Sequence, residues 1–124
     1  MPRTRVLLFR GVDGRIPVQE WLDLLGRANP RALAKCVERV ERLAEWGHQL
    51  RRPLADYLRD GLYELRITAG HVNYRILYFF HGKDRVVLVH ALTKEDVIPD
   101  ADIRRALHRR WLVEADPQQY LHEG

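Results

Sequence analysis

The chain has 124 residues, 46% apolar and 31% charged, which excludes a disordered chain and fits one domain spanning residues 1–124. Its formal net charge of +4 rests on 18 arginines and only 3 lysines. Arginine binds phosphate with a planar fork and stacks on bases, so the excess points to a polyanionic partner; Arg-rich codon usage is the plainer source of the bias. One cysteine, Cys36, rules out an internal disulfide and fits a reducing cytoplasm. Serine is absent, so no serine nucleophile exists. The N-terminal apolar run, residues 6–9, is too short for a signal-peptide core or a membrane span, and no membrane association is expected.

Residues 5–10, with Val6, Leu7, Leu8 and Phe9, read as a short strand closed by the turn-rich Gly11-Val12-Asp13-Gly14. Pro17 opens a short helix with Val18, Trp21, Leu22 and Leu25 at helical spacing, ended at Gly26. A second helix follows, with Asn29 as N-cap, Pro30 at its first position and Gly47 as its stop. Leu33, Val37, Val40, Leu43 and Ala44 form its apolar stripe, with Cys36 beside them as a core residue. Residues 48–60 read as polar and irregular. Three strands come next, at 62–67, 72–80 and 86–91, joined by short turns at 68–71 and 81–84. A last helix spans about 99–112, acidic at its start and basic at its end as the macrodipole prefers, and the polar tail from 114 is expected to fray. The pattern is α+β, a mostly antiparallel four-stranded sheet in the order β-α-α-β-β-β-α.

Polar residues inside these apolar strands are the candidate site. Glu64 and Arg66 share one strand face about 6–7 Å apart, away from Tyr63, Leu65 and Ile67. They are either a surface ion pair, worth about 0–1 kcal/mol, or part of a phosphate site. Arg75 sits mid-strand among Tyr74, Ile76, Leu77 and Tyr78, so it needs a partner or a cleft. His90, grouped by simple alternation with Val86 and Leu88, is either a structural strand histidine or an acid–base group; Lys94 follows in the next loop. No histidine shows metal-ligand spacing, and HExxH, CxxC, GxGxxG and Walker patterns are missing, so no metal or cofactor is expected. Arg51 and Arg52 before the strands, and Arg104, Arg105 and Arg109 on the last helix, are candidate RNA contacts.

The series Leu62-Tyr63-Glu64-Leu65-Arg66, Tyr74-Arg75-Ile76-Leu77-Tyr78, His90-Ala91-Leu92-Thr93-Lys94, Pro99 and Ile103-x-x-Ala106 resembles the HigB-like branch of the RelE/ParE toxin superfamily, over roughly residues 6–110. The resemblance implies a small microbial-RNase-type fold and the toxin of a type II toxin–antitoxin system. It implies metal-independent cleavage of mRNA on the ribosome by 2′-OH attack, with translation inhibition and growth arrest. It also implies a cognate helix-turn-helix antitoxin in a hetero-oligomer, with mRNA and rRNA as further partners. By position, Arg66 matches a basic strand residue, Arg75 the arginine on the scissile phosphate, and Lys94 the basic position after the last strand. Here Lys94 is followed by Glu95, where many HigB-like toxins carry a second basic residue. Alternative readings keep the fold but make the chain a ParE-like gyrase-inhibiting toxin, or an inactive relative that only binds RNA or antitoxin.

Overall fold

A computed structural model describes residues 3–93 and 96–123; Lys94 therefore lies outside the described residues. The elements run β1 (Arg5–Phe9), α1 (Pro17–Ala28), α2 (Pro30–Trp46), a 3₁₀ turn at Gly47–Gln49, β2 (Ala55–Arg59), β3 (Leu62–Ala69), β4 (Val72–Phe80), β5 (Arg85–Thr93), α3 (Asp100–Ala115), α4 (Pro117–Tyr120) and β6 (Leu121–His122). They form one six-stranded sheet in the order β2-β3-β4-β5-β1-β6. The β1–β5 pair is parallel and the others are antiparallel. The α+β class stands, but the sheet has six strands where four were expected, and the element order gains β2, α4 and β6.

Each addition has a physical cause. β2 and β3 meet at a two-residue turn, Asp60-Gly61, with φ 51° and 81°. Two successive positive φ values match the twist of a tight hairpin, and Asp-Gly is a favoured pair for it. The turn thus pulls residues 55–59, read as irregular, into the sheet. At the other end, residues 114–123 do not fray in this structure. Asp116 caps α4 by accepting from Gln119 N, and the chain then pairs Leu121 with Phe9 on the edge of β1. Arg10 fastens the same tail through the Gln118 and Gln119 carbonyls at 3.0 and 3.1 Å.

Gly26 does not end α1. The helix continues to Ala28, and at Gly26 α1 meets α2 closely, with Leu33 Cδ2 lying where a side chain would begin. Asn29 forms the junction, closing α1 through its backbone N–H to Leu25 O and capping α2 by accepting from Ala32 N at 3.1 Å. Gly47 stops α2 at φ 52°, as the sequence suggests.

The sheet is covered on both faces. On the first, Leu65, Ile67, Ile76, Tyr78, Val86 and Leu88 pack against Val18, Ala32, Cys36 and Leu43 of α1 and α2. Cys36 is fully buried, and burial pushes its thiol pKa up to about 11, so it is a core residue. Val37, expected in the apolar stripe, is 48% exposed. On the second face, Leu62, Leu77, Phe79, Val87 and Val89 pack against Ile98 and against Ile103, Ala106 and Val113 of α3. This is the face that carries Glu64, Arg66 and Arg75. α3 covers the apolar part of this face.

Candidate active site

Cross-strand register builds the site. Arg66 of β3 stands directly opposite Arg75 of β4, and Glu64 opposite Leu77. Residues directly opposite share a face. Two adjacent guanidiniums would repel, and Glu64 resolves this. Its Oε1 accepts from Arg66 Nε and from Arg75 Nη1, each at 2.5 Å. Glu64 is 2% exposed, the only polar or charged residue that is buried among the described residues. A lone buried carboxylate would be costly; with two guanidiniums on one oxygen it is paired and hydrogen-bonded.

The pairing continues outward. Arg66 Nη2 reaches Asp56 Oδ2 on β2 at 3.2 Å, and Arg52 Nη2 reaches the same oxygen at 2.7 Å. Arg52, through its hydrogen bond, holds the Asp56 carboxyl below its ordinary pKa. The result is a ladder of alternating charge, Arg52–Asp56–Arg66–Glu64–Arg75, crossing β2, β3 and β4. Three guanidiniums against two carboxylates leave one positive charge in excess. The Arg66 side chain keeps 37% of its surface open and Arg75 13%, so both present N–H groups at the rim. A surface of paired, partly dry guanidiniums suits a phosphate that can exchange with or join their carboxylate partners.

His90 lies on this face through a β-bulge. Leu77 pairs with His90, but Tyr78 pairs with Leu88, so Val89 is an extra residue. Alternation placed His90 with Val86 and Leu88; the bulge moves it to the side of Leu77. It is still two strands from Glu64, with Leu77 between. Its Nε2 donates to Asp102 Oδ1 at 2.7 Å. Arg109 Nη1 donates to His90 Nδ1 at 3.2 Å and to Val89 O at 2.7 Å. A guanidinium only donates, so Nδ1 accepts and the ring proton sits on Nε2. Burial pushes the His90 pKa below the ordinary imidazole value, the Asp102 hydrogen bond opposes this, and Arg109 adds to it.

The proposed RNA contacts divide. Arg51 and Arg52 are exposed and line a pocket of about 450 Å³ with His48, Tyr57 and Tyr63. Arg104 and Arg105 are exposed on α3. Arg109 is held by Val89, His90 and the Phe9 ring, 5.3 Å from its guanidinium carbon. Lys94, outside the described residues, follows directly on the last residue of β5. Sequence reasoning missed Arg39 and Asp56. Arg39, half-buried on α2, lines a pocket of about 310 Å³ together with Arg66 and Arg75. Its signal was an arginine four residues after Lys35 on a helix whose apolar stripe lies alongside. Among the described residues no three His, Cys, Asp or Glu side chains gather as a metal-ligand set, and no helix is long and apolar enough to cross a membrane.

No curated protein matches the chain. A family model described as phage-derived protein Gp49-like (DUF891) matches residues 21–110, which hold α2, β2 to β5, the Glu64–Arg66–Arg75 group and much of α3. With most of its length, and the whole charged ladder, inside that match, the chain belongs to the phage-derived Gp49-like family, a toxin–antitoxin-associated family of the RelE/HigB-like kind.

Proposed function

We propose that the chain is the toxin of a type II toxin–antitoxin system and cuts mRNA on the ribosome by metal-independent attack of a ribose 2′-OH. The observation that supports this reading best is the direct cross-strand pairing of Arg66 with Arg75 over one buried carboxylate. Nothing in sheet packing requires two arginines side by side. A phosphorane-like transition state is served by such a pair, because charge grows on its non-bridging oxygens.

In the proposed step the 2′-oxygen bonds to phosphorus and the P–O5′ bond breaks. A base takes the 2′ proton and an acid protonates the departing 5′-oxygen, leaving a 2′,3′-cyclic phosphate and a 5′-hydroxyl end. Arg75 and Arg66 hold the phosphoryl oxygens. Glu64 orders both guanidiniums and keeps them together before substrate arrives. His90, with both ring nitrogens occupied, positions the start of α3 rather than carrying protons. Proton transfer falls to Lys94 and to groups that the ribosome brings. Arg51, Arg52, Arg104 and Arg105 contact rRNA. A small antitoxin carrying a helix-turn-helix domain is the neutralising partner, in the cytoplasm.

A second reading rests on the Arg75–Glu64 ion pair itself. An arginine satisfied internally fits a relative that binds RNA or antitoxin without cutting. Induced expression decides. The nuclease reading expects growth arrest and transcripts cut within translated regions, with Arg75→Ala losing about 10²–10³ in cleavage rate. RNA binding without cuts supports the second reading. Gyrase-linked DNA damage without cuts would point to a ParE-like toxin instead.

A further inference from the structure

β2 stops pairing with β3 at Ala55 and Leu65, and the Arg66 N–H turns back to Leu54 O at 2.9 Å. Beyond that point the outer carbonyls of β3 have no strand beside them. Two basic residues one turn apart on α2 supply donors instead. Lys35 Nζ donates to Thr68 O at 3.2 Å, and Arg39 Nη1 donates to Arg66 O. Capping an edge carbonyl needs one N–H, which a lysine provides. Arg39 brings five. Its Nε is buried and makes no hydrogen bond among the described residues; its one ion pair is a long one, to Glu38 Oε2 at 3.7 Å, and Glu38 is shared with Arg42. A buried guanidinium N–H compensated only by a shared carboxylate beyond hydrogen-bond distance is rare and asks for an explanation.

Arg39 also lines a pocket, and its remaining guanidinium N–H groups are the ones that could serve a ligand there. Arg39, Arg66 and Arg75 line the same space of about 310 Å³, with Thr68 and Asn73. The carboxylates on Arg66 and Arg75 are Glu64 and Asp56, and Asp56 is shared with Arg52. Arg39 has Glu38, itself shared with Arg42, so three guanidiniums from two sides of a sheet edge meet around one opening whose lining holds no carboxylate. We infer that Arg39 is a phosphate-binding residue, completing a three-arginine cradle for a phosphodiester of a single-stranded RNA at the open edge of β3. The inference rests on reading this end of the sheet as an RNA site. Arg39 binds and orients; it is not assigned a part in bond breaking.

The test uses the purified full chain and a labelled 2′-O-methyl RNA hexanucleotide, which cannot be cut by 2′-OH attack. Affinity is measured by anisotropy between about 50 and 200 mM salt. Arg39→Gln should bind about tenfold more weakly, and the slope of log K against log salt should shrink by about 0.7, the loss of one single-strand phosphate contact. Lys35→Gln, which removes the neighbouring edge cap, should leave the slope unchanged. An unchanged slope in Arg39→Gln with a lowered melting temperature makes Arg39 an edge cap and overturns the inference. So does a wild-type chain with no saturable binding. Cleavage of unmodified mRNA on ribosomes is scored separately. A reduced slope without wild-type cleavage keeps the phosphate ligand and removes the nuclease reading, and cleavage with an unchanged slope does the reverse.

Discussion

Glu64 is the residue on which the site turns. It is buried, and both of its partners use the same oxygen. Removing it leaves two guanidiniums face to face in a partly dry place. Glu64→Ala should destabilise the fold by about 3 kcal/mol, read as a lower urea midpoint; the cost is moderated because Arg66 is 37% exposed and keeps Asp56. Replacing Glu64 and Arg75 together by methionine should recover most of that loss, because no charge is then stranded, yet the double variant should not cut RNA. If the double variant is no more stable than Glu64→Ala, the pair is not coupled as described. The sequence revealed Arg66 and Arg75 because a charge between large apolar neighbours is conspicuous. It hid Arg39, because on a helix an arginine near the apolar stripe looks like any solvated residue, and its reach to Arg66 O depends on where β2 ends.

At the scale of elements, legibility followed local chemistry. α2 was readable from both ends because Asn29-Pro30 and Gly47 act within one turn of the backbone. Asn29→Ala should therefore cost about 1 kcal/mol, seen as a drop of a few degrees in melting temperature, because Ala32 N loses its acceptor. The β2–β3 hairpin was also written in the sequence, as Asp60-Gly61, but the charged, arginine-rich approach masked a strand of only five residues. That turn is tied from outside. Arg110 Nη1 donates to Asp60 O at 2.5 Å, and its guanidinium occupies the space a side chain on Gly61 would need. Gly61→Ala should cost at least 1–2 kcal/mol from its positive φ, plus the displaced Arg110 contact, with Arg110→Ala recovering part of the clash. Other features had no local signal. β6 is two residues long and exists because β1 offers it an edge. The bulge at Val89 breaks strict alternation inside an uninterrupted apolar run, so the facing of His90 could not be read.

At the scale of the molecule, the sheet is closed on one face by α1 and α2 and partly closed on the other by α3, and the charged ladder occupies the end that α3 leaves. How α3 is fastened there decides whether that end keeps its shape. Ile103, Ala106 and Val113 pack it on the sheet, Arg110 holds it to the Asp60 carbonyl, and the polar tie Asp102–His90–Arg109 fixes it against β5. The tie requires a neutral ring, since protonating Nδ1 would set an N–H against the Arg109 guanidinium, with Arg105 adding repulsion. The folded-state pKa of His90 is accordingly lower than its unfolded value of about 6.5. Between those two values the unfolded chain binds a proton that the folded chain does not, so stability rises with pH across that window. The contribution is whole above about pH 6.5 and declines as pH falls toward the folded value. Wild-type melting temperature should thus drop between about pH 7 and pH 5, and His90→Gln, which can still donate to Asp102 and accept from Arg109, should flatten that part of the curve. An equally steep curve in His90→Gln would move the pH dependence to other groups and remove His90 as the titrating element of the α3 attachment.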